Sequence, residues 1–99
     1  MATQEAVKER TETKLMEPRQ YRVVMLNDDF TTMEFVVAVL IDIFQKDPMT
    51  AEAIMLDVHK KGIGIVGCYP YDIACTKTNQ AMERAKAEGF PFRMRVEET

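Results

Sequence analysis

Ninety-nine residues is the length of one domain, and a chain this short has to bury roughly 60–65 % of its unfolded surface to fold at all. With 46 % hydrophobic and 29 % charged residues the composition is that of a globular protein, while a net charge of −3 and a pI of about 5.1 argue against nucleic acid as the main partner, because phosphate binding wants a basic face. The longest apolar run, Phe35 through Ile41, is far short of the ~20 residues that span a bilayer, and the N-terminus is polar and mixed in charge, so neither a membrane helix nor a signal peptide is expected and the chain reads as cytoplasmic.

Residues 1–18 read as a flexible tail: lysines and arginines alternate with Glu5, Glu9, Glu12 and Glu17, aromatic residues are absent and apolar ones too few to bury. Residues 19–99 read as the one folded domain. Tyr21 to Leu26 is β-branched and aromatic and predicts a strand, closed by the turn-forming Asn27-Asp28-Asp29. Thr31-x-x-Glu34 has the form of a capping box, with Thr31 as cap of a helix from about Thr32 to Gln45 that is apolar on most faces and therefore mostly buried. Asp47-Pro48 is a cap and first turn for a second helix, which Lys60, Lys61 and Gly62 suit as its end.

Ile63 to Cys68 predicts a second strand whose glycines leave room for a bulge or a close backbone approach. Pro70-Tyr71-Asp72 opens a third helix running to about Glu88, with Ala74, Thr78, Ala81 and Ala85 forming a stripe of small residues for close packing. Phe92 to Val96 alternates as a third strand with one solvated face. The implied fold is a small α+β domain of order β-α-α-β-α-β, a three-stranded antiparallel sheet packed with three helices. Cys68 and Cys75, in apolar stretches of a cytoplasmic chain, read as reduced, buried small groups rather than a disulfide.

Several chemistries are excluded by residue type. No glycine-rich loop precedes a lysine-bearing helix, one His and two Cys make no closed zinc site, and the chain contains no Ser for a Ser-His-Asp hydrolase. No metal or cofactor is expected. A thiol enzyme pairing His59 with Cys68 or Cys75 survives on spacing but places its thiolates in apolar surroundings, where they are disfavoured. Asn27, Asp28 and Asp29 are either a plain turn or an anionic, hydrogen-bond-accepting site for a cation. Met33 and Val36 share a face of the first helix, and Met55, Val58 and His59 share a face of the second. Were the two helices neighbours, polar Asn27, Asp28, Asp29 and His59 would border apolar Met33, Val36, Met55 and Val58, a pocket with a charged lip and an apolar floor.

Asn27-Asp28-Asp29-Phe30-Thr31-Thr32-Met33-Glu34-Phe35-Val36 closely resembles the first signature of the ClpS family, and Met55-Leu56-x-Val58-His59 followed by Gly62 is similar to its second. Ala74-x-x-Lys77 and Pro91-Phe92 match its later pattern, so that the resemblance covers about residues 20–97. That family comprises bacterial adaptors that bind proteins beginning with Leu, Phe, Tyr or Trp, the N-degrons, and deliver them to the ClpA unfoldase of the ClpP protease, or to a ClpC-type unfoldase in some lineages. The resemblance implies that Asn27, Asp29 and His59 hold the substrate's α-amino group with Asp28 nearby, and that Thr31, Met33, Val36, Met55, Val58 and Phe92 line the side-chain pocket. It also implies that Asp72 and Lys77 lie on a face docking to the N-terminal domain of the unfoldase, and that the tail is a mobile arm entering the unfoldase during delivery.

The physical logic agrees. A free α-ammonium offers three donors to Asn and Asp oxygens, whereas an internal amide offers one donor and no charge and leaves acceptors unpaired. His59 accepts from an ammonium only with its ring neutral, which implies binding that weakens in acid. Met33 at the mouth would reject β-branched side chains. Departures from the family pattern are Thr32 where proline is frequent, Pro70-Tyr71-Asp72 without the usual threonine cap, and Phe92 for an aliphatic residue, whose larger ring is expected to shrink the pocket and disfavour Trp. The expected protein is a monomeric, non-catalytic adaptor; the alternatives are a modulator of the AAA+ partner that binds no degron, and a small His59-dependent enzyme.

Overall fold

The computed structural model describes residues 19–99, so the expected tail at 1–18 lies outside the described residues. The elements are β1 (Gln20–Leu26), α1 (Met33–Asp42), α2 (Pro48–Lys61), β2 (Ile63–Pro70), α3 (Tyr71–Ala87) and β3 (Arg93–Glu98). The strands form one antiparallel sheet of order β2-β1-β3, the α+β architecture expected from the pattern. Val23 and Met25 of β1, Val66 of β2 and Met94 of β3 join the helices in a single core, with the Ala74, Thr78, Ala81 and Ala85 stripe of α3 fully buried. From α1 that core receives Phe35, Val36, Val39 and Leu40, each contributing about 1.5–3 kcal/mol by leaving water.

The start of α1 differs from expectation. Thr32, not Thr31, is the cap, its hydroxyl oxygen accepting from the Phe35 amide at 3.1 Å. Thr31 is engaged elsewhere, donating its hydroxyl to the Asp28 carboxylate at 2.7 Å, and the one-residue shift leaves Glu34 too early in the helix to close a capping box. At its other end α1 stops at Asp42 rather than Gln45, because Gln45 takes a left-handed conformation (φ 52°) and the Ile43 carbonyl turns to the Lys77 ammonium, 2.6 Å away on α3. The same ammonium donates to Gln45 Oε1 and lies about 6 Å from the Phe44 and Tyr69 rings.

Helix α2 follows its sequence signals: Asp47 caps it, Pro48 opens it, and Gly62 ends it at φ 84°, donating to the Val58 carbonyl. The chain then turns straight into β2, which brings Gly64 under α2. A Cβ on Gly64 would sit 2.6 Å from Val58 Cγ2 and 3.1 Å from the Ile54 carbonyl oxygen, so the absence of a side chain sets the helix-to-strand distance.

A bulge in β2 corrects the expectation for the cysteines. Val23 faces Gly67 but Val24 faces Ile65, leaving Val66 as the extra residue. The slip turns Cys68 to the outside, exposed and free, and brings Tyr69 onto the core beside Phe44; Cys75 is half-buried on α3. The outer face of the sheet carries three cross-strand rows: Cys68, Arg22 and Glu97; Ile65, Val24 and Arg95; Ile63, Leu26 and Arg93. Val24, on this outer face, is only 1 % exposed yet stands apart from the core cluster.

Gly64→Ala is expected to lower the unfolding free energy by about 1–3 kcal/mol in urea titration, since neither the buried Val58 nor the Ile54 backbone has room to yield.

Candidate functional site

The loop between β1 and α1 is organised by Asp28. Its Oδ1 accepts from the amides of Phe30 (2.8 Å) and Thr31 (2.7 Å), and its Oδ2 accepts from the Thr31 hydroxyl (2.7 Å). This is the Asx-type turn that Asp favours, and it delivers the chain to the Thr32 cap. Partial burial by itself raises the Asp28 pKa, but the Thr31 and Phe30 hydrogen bonds and the Arg93 charge outweigh it, and the net shift is below the ordinary 3.8. Asn27 is tied in through its backbone, whose N–H donates to the Gly62 carbonyl at 3.0 Å, so the end of β1 and the end of α2 are held together.

Between this loop and the paired helices lies a cavity of about 410 Å³. Asn27, Asp28, Asp29, Thr31, Thr32 and His59 give it polar walls, and Phe30, Met33, Val36, Met55 and Val58 apolar ones. Val36 and Val58 are buried at its floor, while Met33 is 46 % exposed at its mouth. Nine of the ten sequence-predicted binding residues are thereby brought together; the tenth, Phe92, does not line the cavity. It is buried in the core, its ring 5.7 Å from that of Phe35 in an edge-on pair, so any influence on pocket size is indirect. The sequence reading gave Phe30 and Thr32 no role in the pocket. Phe30 is 73 % exposed, and an aromatic ring inside a polar turn was the signal that could have marked it.

The two adjacent carboxylates differ in what they are free to do. Asp28 is occupied by the loop, whereas among the described residues the side chains of Asn27, Asp29 and His59 make no hydrogen bond. Those three present acceptors to the cavity beside an apolar floor, an arrangement suited to a small cation carrying a hydrophobic group. No group of three metal-ligating side chains occurs among the described residues, and no described helix is long and apolar enough to cross a membrane.

The remaining pair, Asp72 and Lys77, lies on α3, well apart in the chain from these residues, along a shallow groove shared with Ile73, Thr76 and Gln80. Asp72 is exposed in the first turn, and Ile73 is 46 % exposed beside it; the Lys77 ammonium is directed at the end of α1.

Residues 16–95 match the family model described as ATP-dependent Clp protease adaptor protein ClpS. The chain is 51 % identical over 98 residues to the ATP-dependent Clp protease adapter protein ClpS of Oleidesulfovibrio alaskensis, covering 99 % of this chain and 94 % of that one. It is 55 % identical over 84 residues to the protein of the same name from Treponema denticola, covering 85 % and 83 %. Among solved structures it is similar to Agrobacterium tumefaciens ClpS2 bound to L-phenylalaninamide, with a TM-score of 0.80, 36 % identity, and coverage of 84 % of this chain and all of that one.

The lowered pKa of Asp28 has a defined pH signature. Its stabilisation of the loop is complete above the unfolded value of 3.8 and is lost as pH falls through the still lower folded value. Protection of the Phe30 and Thr31 amides, measured against their intrinsic exchange rate at each pH, is therefore expected to fall in that acid range, and Asp28→Ala is expected to lower it already at neutral pH.

Proposed function

The chain belongs to the ClpS family, and on that premise we propose that its cavity captures the first residue of a substrate through both the free α-amino group and the side chain. The protein is an adaptor that binds N-degron substrates and hands them to a Clp protease. In the reading proposed, Asn27, Asp29 and His59 accept hydrogen bonds from the ammonium. Asp28 holds the loop in place and adds negative potential. Met33, Val36, Met55 and Val58, with Thr31 at the rim, receive the large hydrophobic side chain of Leu, Phe, Tyr or Trp, and Phe92 supports the floor from behind.

The observation that carries this reading is the coexistence, in one cavity, of an apolar floor and three acceptor side chains that make no hydrogen bond among the described residues. A free N-terminal amino acid presents that pair of features together, and so does phenylalaninamide, the ligand named for the A. tumefaciens relative. An internal residue replaces the ammonium by an amide with one donor, which strands two acceptors without their water. Selectivity for the chain end follows from that count. No step of this reading breaks a bond in the substrate: the protein binds and presents, and catalyses no reaction of its own.

The remaining assignments complete the proposal. Asp72 and Ile73, with Lys77 in the same groove, form the face that docks to the N-terminal domain of a ClpA or ClpC unfoldase. The adaptor acts in the cytoplasm as a monomer.

Fluorescence anisotropy with a labelled Phe-first peptide tests the cavity. Tight binding is expected, with at least a tenfold loss on Nα-acetylation, on replacing Phe by Ser, and in Asn27→Ala or Asp29→Ala, since each removes a charge-assisted bond or the apolar anchor. Equal binding of all three peptides by the native protein would refute the reading. Met33→Ala is expected to admit Ile- and Val-first peptides that the native mouth rejects, raising their affinity severalfold while Phe binding weakens.

A further inference from the structure

The outer face of the sheet is polarised in a way that nothing in the cavity requires. On β3 it carries Arg93 and Arg95, on the central strand β1 Arg22 and Leu26, and on β2 Ile63 and Ile65. Ile63 and Ile65 are 37 % and 55 % exposed and, with Leu26, take no part in the core. Only Arg95 is neutralised, by Glu97 at 3.4 Å; among the described residues neither Arg22 nor Arg93 is in an ion pair. A chain of net charge −3 thus keeps a cationic and apolar strip on one open surface.

The strip is continuous with the cavity. Leu26 immediately precedes Asn27, Arg93 is its partner on β3, and the Arg93 charge is felt at Asp28 in the cavity wall. A polypeptide whose first residue is seated in the cavity has to leave over its rim, and one way out passes the Leu26–Arg93 row onto this face. We propose that the outer sheet face receives the segment following the N-terminal residue of a bound protein, and that it selects segments in which acidic residues are mixed with apolar ones. The inference rests on the reading of the cavity as a site for N-terminal residues and adds to it a preference beyond the first residue. Guanidinium groups on such a face offer paired donors to carboxylates.

The other exit from the cavity leads across Met33 and Met55 to a groove floored by Val37 and Ile41 and edged by Glu34 and Glu52, which would favour basic segments instead. The experiment distinguishes the two. Anisotropy is measured with three Phe-first peptides that differ only a few positions after the first residue, carrying acidic, neutral or basic side chains, each with its Nα-acetylated control. In the native protein the acidic peptide is expected to bind about two- to fivefold more tightly than the neutral one, the range of one or two exposed ion pairs, and the ratio is expected to fall toward one in high salt.

Arg93→Gln and Arg95→Gln are expected to lower that ratio, and the Arg93→Glu/Arg95→Glu double variant to invert it. Because the ratio is taken within each variant, a general change in cavity affinity cancels. An acidic-to-neutral ratio of one in the native protein, a preference for the basic peptide, or an acidic preference that survives the double variant overturns the proposal. Concentration-dependent self-association abolished by the same variants also overturns it, assigning the face to a second copy. Free-amine peptides that bind no better than their acetylated controls overturn the N-terminal reading and this proposal together, and the neutral peptide reports that failure separately.

Discussion

Three hydrogen bonds to the Asp28 carboxylate set the geometry on which the cavity depends. They fold the chain back after β1 so that Thr32 reaches the position of a helix cap, and they determine which face of α1 turns toward α2. Without that turn Met33 and Val36 would be apolar residues on a helix with no defined relation to Asn27. The bonds also distinguish the neighbouring carboxylates: Asp28 is engaged by the backbone and by Thr31, whereas Asp29 makes no side-chain hydrogen bond among the described residues. Its neighbours hold Asp28 in its charged form, so the loop keeps its shape and its negative potential at neutral pH.

The opposite wall depends on two glycines. Gly62 adopts the left-handed conformation that lets α2 turn directly into β2, and Gly64 lets that strand pass beneath Val58 and Ile54 at a distance no side chain would permit. The Gly62 carbonyl accepts from the Asn27 amide and so joins this wall to the loop. His59, in the last turn of α2, lines the same cavity as Asn27 and Asp29. The function proposed for the cavity rests on this meeting of acceptors and apolar floor: the chemistry would lie in counting donors on a chain end, with the methionines as adaptable walls for side chains of different shape.

The sheet separates two surfaces. On the inner face the small residues of α3 allow its backbone close to the strands, and Lys77 fastens α3 to the end of α1 through the Ile43 carbonyl. Asp42 and Arg84 add an exposed contact between the same helices at 2.8 Å, worth at most about 1 kcal/mol. Among the described residues no helix covers the outer face, whose alternate strand residues carry charge.

Element types and order were legible because each carries a local signal: alternation in β3, the small stripe in α3, Asp47-Pro48 and Gly62 at the two ends of α2. The polar and apolar halves of the cavity were legible as well, since helical spacing alone places Met55, Val58 and His59 on one face. What the sequence did not reveal has a common origin in competition between distant groups. Thr31 and Thr32 are equally good caps in isolation, and Asp28 decides between them by taking the Thr31 hydroxyl. The outward turn of Cys68 comes from a bulge that exists only against β1, and the early end of α1 from a lysine far along the chain. Phe92 is absent from the cavity lining and packs in the core edge-on to Phe35. Local pattern by itself determined the elements, their order and the chemical character of the site, because short-range sterics and periodicity do not need the rest of the molecule. Tertiary structure decided register, capping and which side chains remain unengaged, because a hydrogen bond or a packing position can be taken only once, and the taker is often far away in sequence.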